Sequence, residues 1–100
     1  METQQTIAQE TEYDKTLSEL EESLSLIELI ALERLLDINR ELATQKLLNE
    51  ELSKSNQAEL ENILIEFRAT LESAEVEKIT KLMQLETEEV LNYETNKNQT

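Results

Sequence analysis

Not one of the chain's 100 residues is glycine or proline. Glycine supplies the positive φ angles of tight turns and proline supplies rigid breaks, so a chain without either favours long helices joined by few turns. Good helix formers such as Leu, Glu, Ala, Lys and Gln dominate, whereas aromatic residues are scarce. The sequence therefore predicts an all-α fold in a single small domain.

The chain also contains no cysteine and no histidine. It therefore lacks disulfides, thiolate nucleophiles, the usual zinc ligands and the commonest general base. Paired glutamates at 21–22, 50–51 and 88–89 remain as possible metal ligands. Di-iron bundles need Glu-x-x-His, however, and oxygen-only calcium or magnesium loops have a spacing that is absent here. We expect these carboxylates to be solvated, and the protein to be non-catalytic, with no cofactor and no metal.

The net charge is −14, from 23 acidic and 9 basic residues, and residues 1–33 carry −8 of it, with nine acids and one base, Lys15. Such a charge repels nucleic acids and anionic membrane surfaces but attracts basic proteins. No basic stretch followed by an apolar run begins the sequence, and no apolar stretch is long enough to cross a bilayer. We expect a cytoplasmic protein that contacts neither nucleic acid nor membrane directly.

Polar stretches suggest the limits of the helices. Residues 1–12 are predicted to be a polar tail or frayed helix start, and residues 96–100 a frayed C-terminus. Between them, the sequence predicts a first helix over about 13–52, a turn at about 53–56 and a second helix over about 57–95.

Each predicted helix carries an apolar seam with steps of three or four residues. The two seams match when the chain folds back with paired residue numbers summing to 109, so we predict an antiparallel, coiled-coil-like helical hairpin. A domain-swapped dimer of long continuous helices would make the same contacts between chains, and this alternative stays open. The intra-hairpin seam comprises Leu24, Ile27, Leu35, Ile38, Leu42, Phe67, Leu71, Leu82 and Leu85.

A second apolar face lies to one side of this seam on both helices. A two-helix hairpin cannot cover it, and leaving it exposed would give a patch larger than a typical monomer carries. Two hairpins packed on these faces would make a four-helix bundle, which predicts a homodimer or higher homo-oligomer. The predicted self-association face comprises Leu29, Leu32, Leu36, Leu47, Ile65, Val76, Ile79, Met83 and Val90.

One polar group interrupts the seam. The predicted register places Glu28 opposite Lys81, with Lys78 nearby. A ligand or partner could use such a group, but a polar seam residue more commonly fixes the alignment of helices at some cost in stability. We interpret the three residues as a register device.

Two tyrosines, Tyr13 and Tyr93, are predicted to meet at the open end of the hairpin. Tyrosine is favoured in protein interfaces, so these side chains either anchor a partner or cap the core.

These features predict a non-catalytic adaptor or assembly protein that acts through protein–protein interaction and self-association. The alternative is an acidic inhibitor that occupies the nucleic-acid-binding groove of another protein, because carboxylates along a rigid helix imitate phosphate charge. A basic partner fits both hypotheses.

Overall fold

The computed structural model describes the backbone of residues 11–99 and the side chains of residues 11–92. Within these residues the chain forms four α-helices: α1 (Glu12–Ser23), α2 (Leu26–Leu47), α3 (Lys54–Thr70) and α4 (Ser73–Gln99). The prediction of an all-α fold is confirmed. The tail predicted at the N-terminus lies outside the described residues, apart from its last two positions. The helical backbone of α4 continues beyond the end predicted at residue 95.

The first predicted helix is divided at Leu24 and Ser25. Leu24 has an extended backbone, although its N–H still donates to the Leu20 carbonyl at 2.8 Å. Ser25 then caps α2: its hydroxyl accepts from the Glu28 N–H at 3.2 Å, and its own N–H donates to the Glu28 carboxylate at 2.8 Å. This reciprocal capping box satisfies backbone groups that a continuous helix would pair internally. The prediction of one helix over 13–52 is therefore wrong.

The second predicted helix is divided in the same way at Leu71 and Glu72. Leu71 is extended, and its N–H donates to the Phe67 carbonyl at 2.8 Å. The Glu72 N–H donates to the Glu75 carboxylate at 3.2 Å, which is half of a capping box at the start of α4. Two shorter helices thus replace the single helix predicted over 57–95.

The turn between α2 and α3 comes earlier than predicted. The α2 helix ends at Leu47, and Asn49 adopts a left-handed conformation with φ of 62°. Asparagine tolerates this region better than most residues, which allows the turn to form without glycine. Ser53 caps α3 by accepting from the Asn56 N–H at 3.2 Å, so the predicted turn at 53–56 already contains the first turn of α3.

The helices pack in an order that a simple hairpin does not produce. The α4 helix contacts both α1 and α2, while α3 packs mainly against α2. Ion pairs Glu19–Lys78 and Glu12–Lys81 show that α1 and α4 run in opposite directions. The predicted register would place Asn39 opposite Thr70, but Asn39 contacts residues 83–87 of α4. The single register therefore fails, because α2 has different neighbours on different sides.

The core draws on both predicted apolar faces. It is built from Leu20, Leu24, Leu32, Leu35, Leu36, Phe67, Ile79 and Leu82. Of the predicted self-association face, Leu32, Leu36 and Ile79 are buried within one chain. This part of the prediction is wrong, because the breaks at Leu24 and Leu71 allow four short helices of the same chain to cover that face.

Other members of the two faces are less completely covered. On the predicted self-association face, Leu29, Leu47, Val76, Met83 and Val90 are half-buried and Ile65 is exposed. On the predicted seam, the buried residues are Leu24, Leu35, Ile38, Phe67 and Leu82, and the half-buried residues are Leu42, Leu71 and Leu85. The exception is Ile27, whose side chain the seam prediction placed inside but which is 79% exposed.

Candidate protein-docking groove

An open groove of about 420 Å³ lies between α1 and the first two-thirds of α2. It exists because the chain breaks at Leu24 and Ser25, so that α2 starts as a separate helix beside α1. The volume is within the range typical of binding clefts. Its apolar surface is formed by Leu17, Leu26, Leu29, Ile30, Leu32 and Leu36.

Three large apolar side chains remain in solvent at the start of α2. Leu26 is 74% exposed, Ile27 79% and Ile30 59%. Leu26 and Ile30 line the groove, and Ile27 lies next to Leu26 in the sequence. A single exposed apolar residue is ordinary, whereas exposed apolar residues clustered beside a groove are typical of binding surfaces. We name Leu26, Ile27 and Ile30 the apolar crest.

The groove carries mostly negative charge. Its charged lining consists of Glu21, Glu33, Asp37 and Arg40. The Arg40 guanidinium is already engaged by carboxylates, at 2.9 Å from Glu86 and 3.8 Å from Asp37. Within the described side chains, neither Glu21 nor Glu33 forms an ion pair. The groove therefore presents free negative charge beside an apolar surface.

A buried carboxylate pairs with Arg40, a lining residue of the groove. Glu86 of α4 is only 3% exposed. Its Oε1 accepts from Asn39 Nδ2 at 2.9 Å, while its buried Oε2 relies on the charge of Arg40 rather than on a well-formed hydrogen bond. Burial raises the pKa of Glu86, against the opposing effects of Asn39 and Arg40.

Tyr13 lines the groove close enough to Glu86 to be affected by its charge. Its half-buried side chain lines the groove on the α1 side. Burial raises the pKa of the Tyr13 hydroxyl, and the negative charge of Glu86 raises it further. The prediction that Tyr13 meets Tyr93 stays untested, because the Tyr93 side chain lies outside the described residues.

The predicted polar group of Glu28, Lys78 and Lys81 does not form a single cluster. Glu28 caps α2 through Ser25. Lys78 lies 3.3 Å from Glu19, and Lys81 pairs with Glu12. The two lysines thus hold α1 against α4, and the predicted pairing of Glu28 with Lys81 is wrong because α1, rather than α2, lies opposite them.

Sequence reasoning placed Leu26 and Ile30 in no apolar face and gave Asn39 and Glu86 no role. The Ser25-x-x-Glu28 spacing was a usable signal for a helix start, and it would have separated α1 from α2. No comparable signal marked Glu86, because a glutamate in an acidic helix is usually solvated.

The fold and this groove define a small all-α protein with an open, acidic and apolar surface. Among the described residues, no group of three or more acidic side chains is arranged to hold a metal ion, and no helix combines the length and apolar character needed to cross a membrane. No protein-family model, curated protein or solved structure matches the chain.

Proposed function

We propose that this protein is a non-catalytic helical adaptor that binds another protein through the groove between α1 and α2. The observation that carries the proposal is the apolar crest, in which Leu26, Ile27 and Ile30 are 74%, 79% and 59% exposed beside a groove of apolar lining. Of the other 21 leucines and isoleucines whose side chains are described, 18 are buried or half-buried. An apolar cluster left uncovered in this way is characteristic of a binding surface.

The size of the crest indicates the strength of binding. Fully burying a Leu or Ile side chain contributes about 1.5–3 kcal/mol, so the three crest residues contribute at most about 5–9 kcal/mol. Association costs about 4–15 kcal/mol in lost translational and rotational freedom. The crest alone therefore gives little net affinity, and contacts along the groove must add to it. A moderate, reversible complex is the expected result.

The polar groups near the groove support a binding role over a catalytic one. Glu86 and Arg40 neutralise each other, and Asn39 donates to the same carboxylate. A catalytic acid or base needs a free position beside a substrate. These groups instead pair with one another between α2 and α4, which suits a scaffold that holds the groove in shape.

Self-association was also predicted from the sequence, on a face of which three of nine residues are buried within the chain. Because Leu32, Leu36 and Ile79 lie in the core, the apolar crest is the most exposed apolar surface that a second copy could cover. Charge mimicry of a nucleic acid would instead use the carboxylates and leave the crest uncovered. Self-association and charge mimicry are therefore competing hypotheses for how this protein acts.

The test is affinity capture from the source cells, with washes across a salt series. Wild type is compared with Ile30→Glu in the groove and with Ile65→Glu on α3, a matched control whose parent side chain is 55% exposed against 59% for Ile30. The proposal predicts a protein that wild type and Ile65→Glu capture and that Ile30→Glu loses at every salt concentration.

Two results contradict it. Equal capture by all three proteins would show that the groove is not used. A basic nucleic-acid-binding partner that Ile30→Glu still retains, and that moderate salt releases, would support charge mimicry instead.

A further inference from the structure

We propose that the segment bound in the groove is a basic amphipathic helix, with its apolar face on the crest and its Lys or Arg side chains over Glu21 and Glu33. This inference rests on the proposed function and adds the chemistry of the partner. It follows from the shape of the groove walls and from the charges that remain unpaired there.

The walls favour a helix as the occupant. Both are α-helices, whose backbone N–H and C=O groups bond within each helix, so they offer no open edge to which a strand could add. Along α2 the lining extends from Leu26 to Arg40, which at 1.5 Å per residue is about 21 Å, the length of a helix of about 14 residues. A helix in such a groove buries side chains spaced at i, i+3 or i+4, and i+7.

The charges favour a basic helix. Acids on the other side of α1 are already neutralised, since Glu12 and Glu19 pair with lysines of α4. Glu21 and Glu33 line the groove and, within the described side chains, form no ion pair. Lys and Arg have long apolar stems that can cover leucines while their charged ends reach carboxylates at the rim. The groove therefore combines the two features that such side chains use.

The same charges disfavour a second copy of this chain. The net charge is −14, and in a two-fold symmetric pair each acidic rim would face an identical acidic rim. Like charges placed opposite each other across an interface weaken it. A basic partner relieves this repulsion, whereas a homodimer through the groove increases it.

The experiment uses two fluorescent synthetic peptides of about 14 residues. In the first, Leu forms one helical face and Lys the other; in the second, every Lys is replaced by Glu. Binding is measured by fluorescence anisotropy on the full chain. Wild type is compared with Glu21→Lys/Glu33→Lys and with the control Glu61→Lys/Glu77→Lys, which changes two exposed glutamates elsewhere by the same total charge.

Wild type is expected to bind the Lys peptide and not the Glu peptide. The groove variant should bind the Lys peptide about tenfold more weakly, because two attractive charges become repulsive, while the control variant should change about twofold or less. Circular dichroism establishes that both variants fold. Equal losses in both variants would mean that only bulk charge matters, and equal binding of the two peptides would mean that charge plays no part. Either result overturns the inference.

The experiments distinguish a wrong assignment of the basic helix from a wrong assignment of the adaptor function. If Ile30→Glu abolishes capture of the cellular partner while the groove shows no preference for the Lys peptide, the adaptor function stands and the basic helix is rejected. If Ile30→Glu leaves capture unchanged, the proposed function fails whatever the peptides do.

Discussion

The Arg40 guanidinium lies 2.9 Å from the Glu86 carboxylate, and this pair joins the largely exposed rim of the groove to a buried position on α4. Glu86 reaches that position because α4 packs across α2, where Asn39 also donates to it at 2.9 Å. Through Arg40, a lining residue of the groove is therefore tied to α4.

The buried carboxylate predicts a pH effect of definite sign. Because burial raises the pKa of Glu86 in the folded state, the native protein holds a proton that the unfolded chain has released. The contribution of Glu86 to stability is therefore largest below the ordinary glutamate pKa of about 4.3 and decreases as the pH rises from there through the raised value.

Glu86→Gln removes this contribution and keeps an acceptor for Asn39. We expect its free energy of unfolding, measured with urea across this pH range, to decrease less with rising pH than that of wild type. Glu77→Gln, at an exposed position, makes the same change in net charge and serves as the control. Parallel pH profiles for the two variants would contradict the assignment.

The hydrogen bonds of Asn39 are expected to stabilise the packing of α2 against α4. Its Nδ2 has two protons and three acceptors in reach: the Met83 carbonyl at 3.1 Å, Glu86 Oε1 at 2.9 Å and Thr87 Oγ1 at 3.3 Å. Asn39→Ala leaves part-buried acceptors unpaired and should destabilise the protein by about 1–3 kcal/mol. In urea unfolding, the exposed control Asn62→Ala should change stability by less than about 0.5 kcal/mol. Similar losses in both variants would argue against this contact.

The capping box predicts that the break between α1 and α2 is stabilised locally. Ser25→Ala removes the acceptor for the Glu28 N–H and should cost about 1 kcal/mol. Ser18→Ala, at an exposed position inside α1, should be neutral or slightly stabilising, because alanine is the better helix former. Thermal unfolding of the two variants makes the comparison. A Ser25→Ala protein as stable as Ser18→Ala would mean that the cap contributes nothing.

Alanine substitutions at Leu36 and Ile27 test whether the first side chain is buried and the second exposed. Leu36 is buried in the core although the sequence predicted it for self-association, and Ile27 is exposed although it was predicted for the seam. Leu36→Ala should cost about 2–5 kcal/mol. Ile27→Ala should change stability by less than about 0.5 kcal/mol. The opposite ranking in chemical denaturation would indicate that Ile27 lies in a buried seam, as the sequence predicted.

The sequence predicted the helical character of the chain but not the two points at which its helices are divided. The absence of glycine and proline predicted helices correctly, because propensity and apolar spacing both depend on local chemistry. The division at Leu24 and Leu71 was missed, since each interrupts an apolar spacing that continues across it. That error placed α4 against the wrong residues of α2. It also hid the groove, because Leu26 and Ile30 become a surface only where α1 ends and α2 begins.

Photo-crosslinking identifies what binds in the groove. A benzophenone amino acid replaces Ile30 in one protein and Ile65 in another, and both are irradiated in the source cells. We expect one predominant adduct with a different protein from position 30 and none from position 65, and we expect the crosslinked segment of that protein to be a basic amphipathic helix. An adduct of twice the 11.6 kDa chain mass would instead identify a second copy, and adducts shared by both positions would show that the groove is not the binding surface.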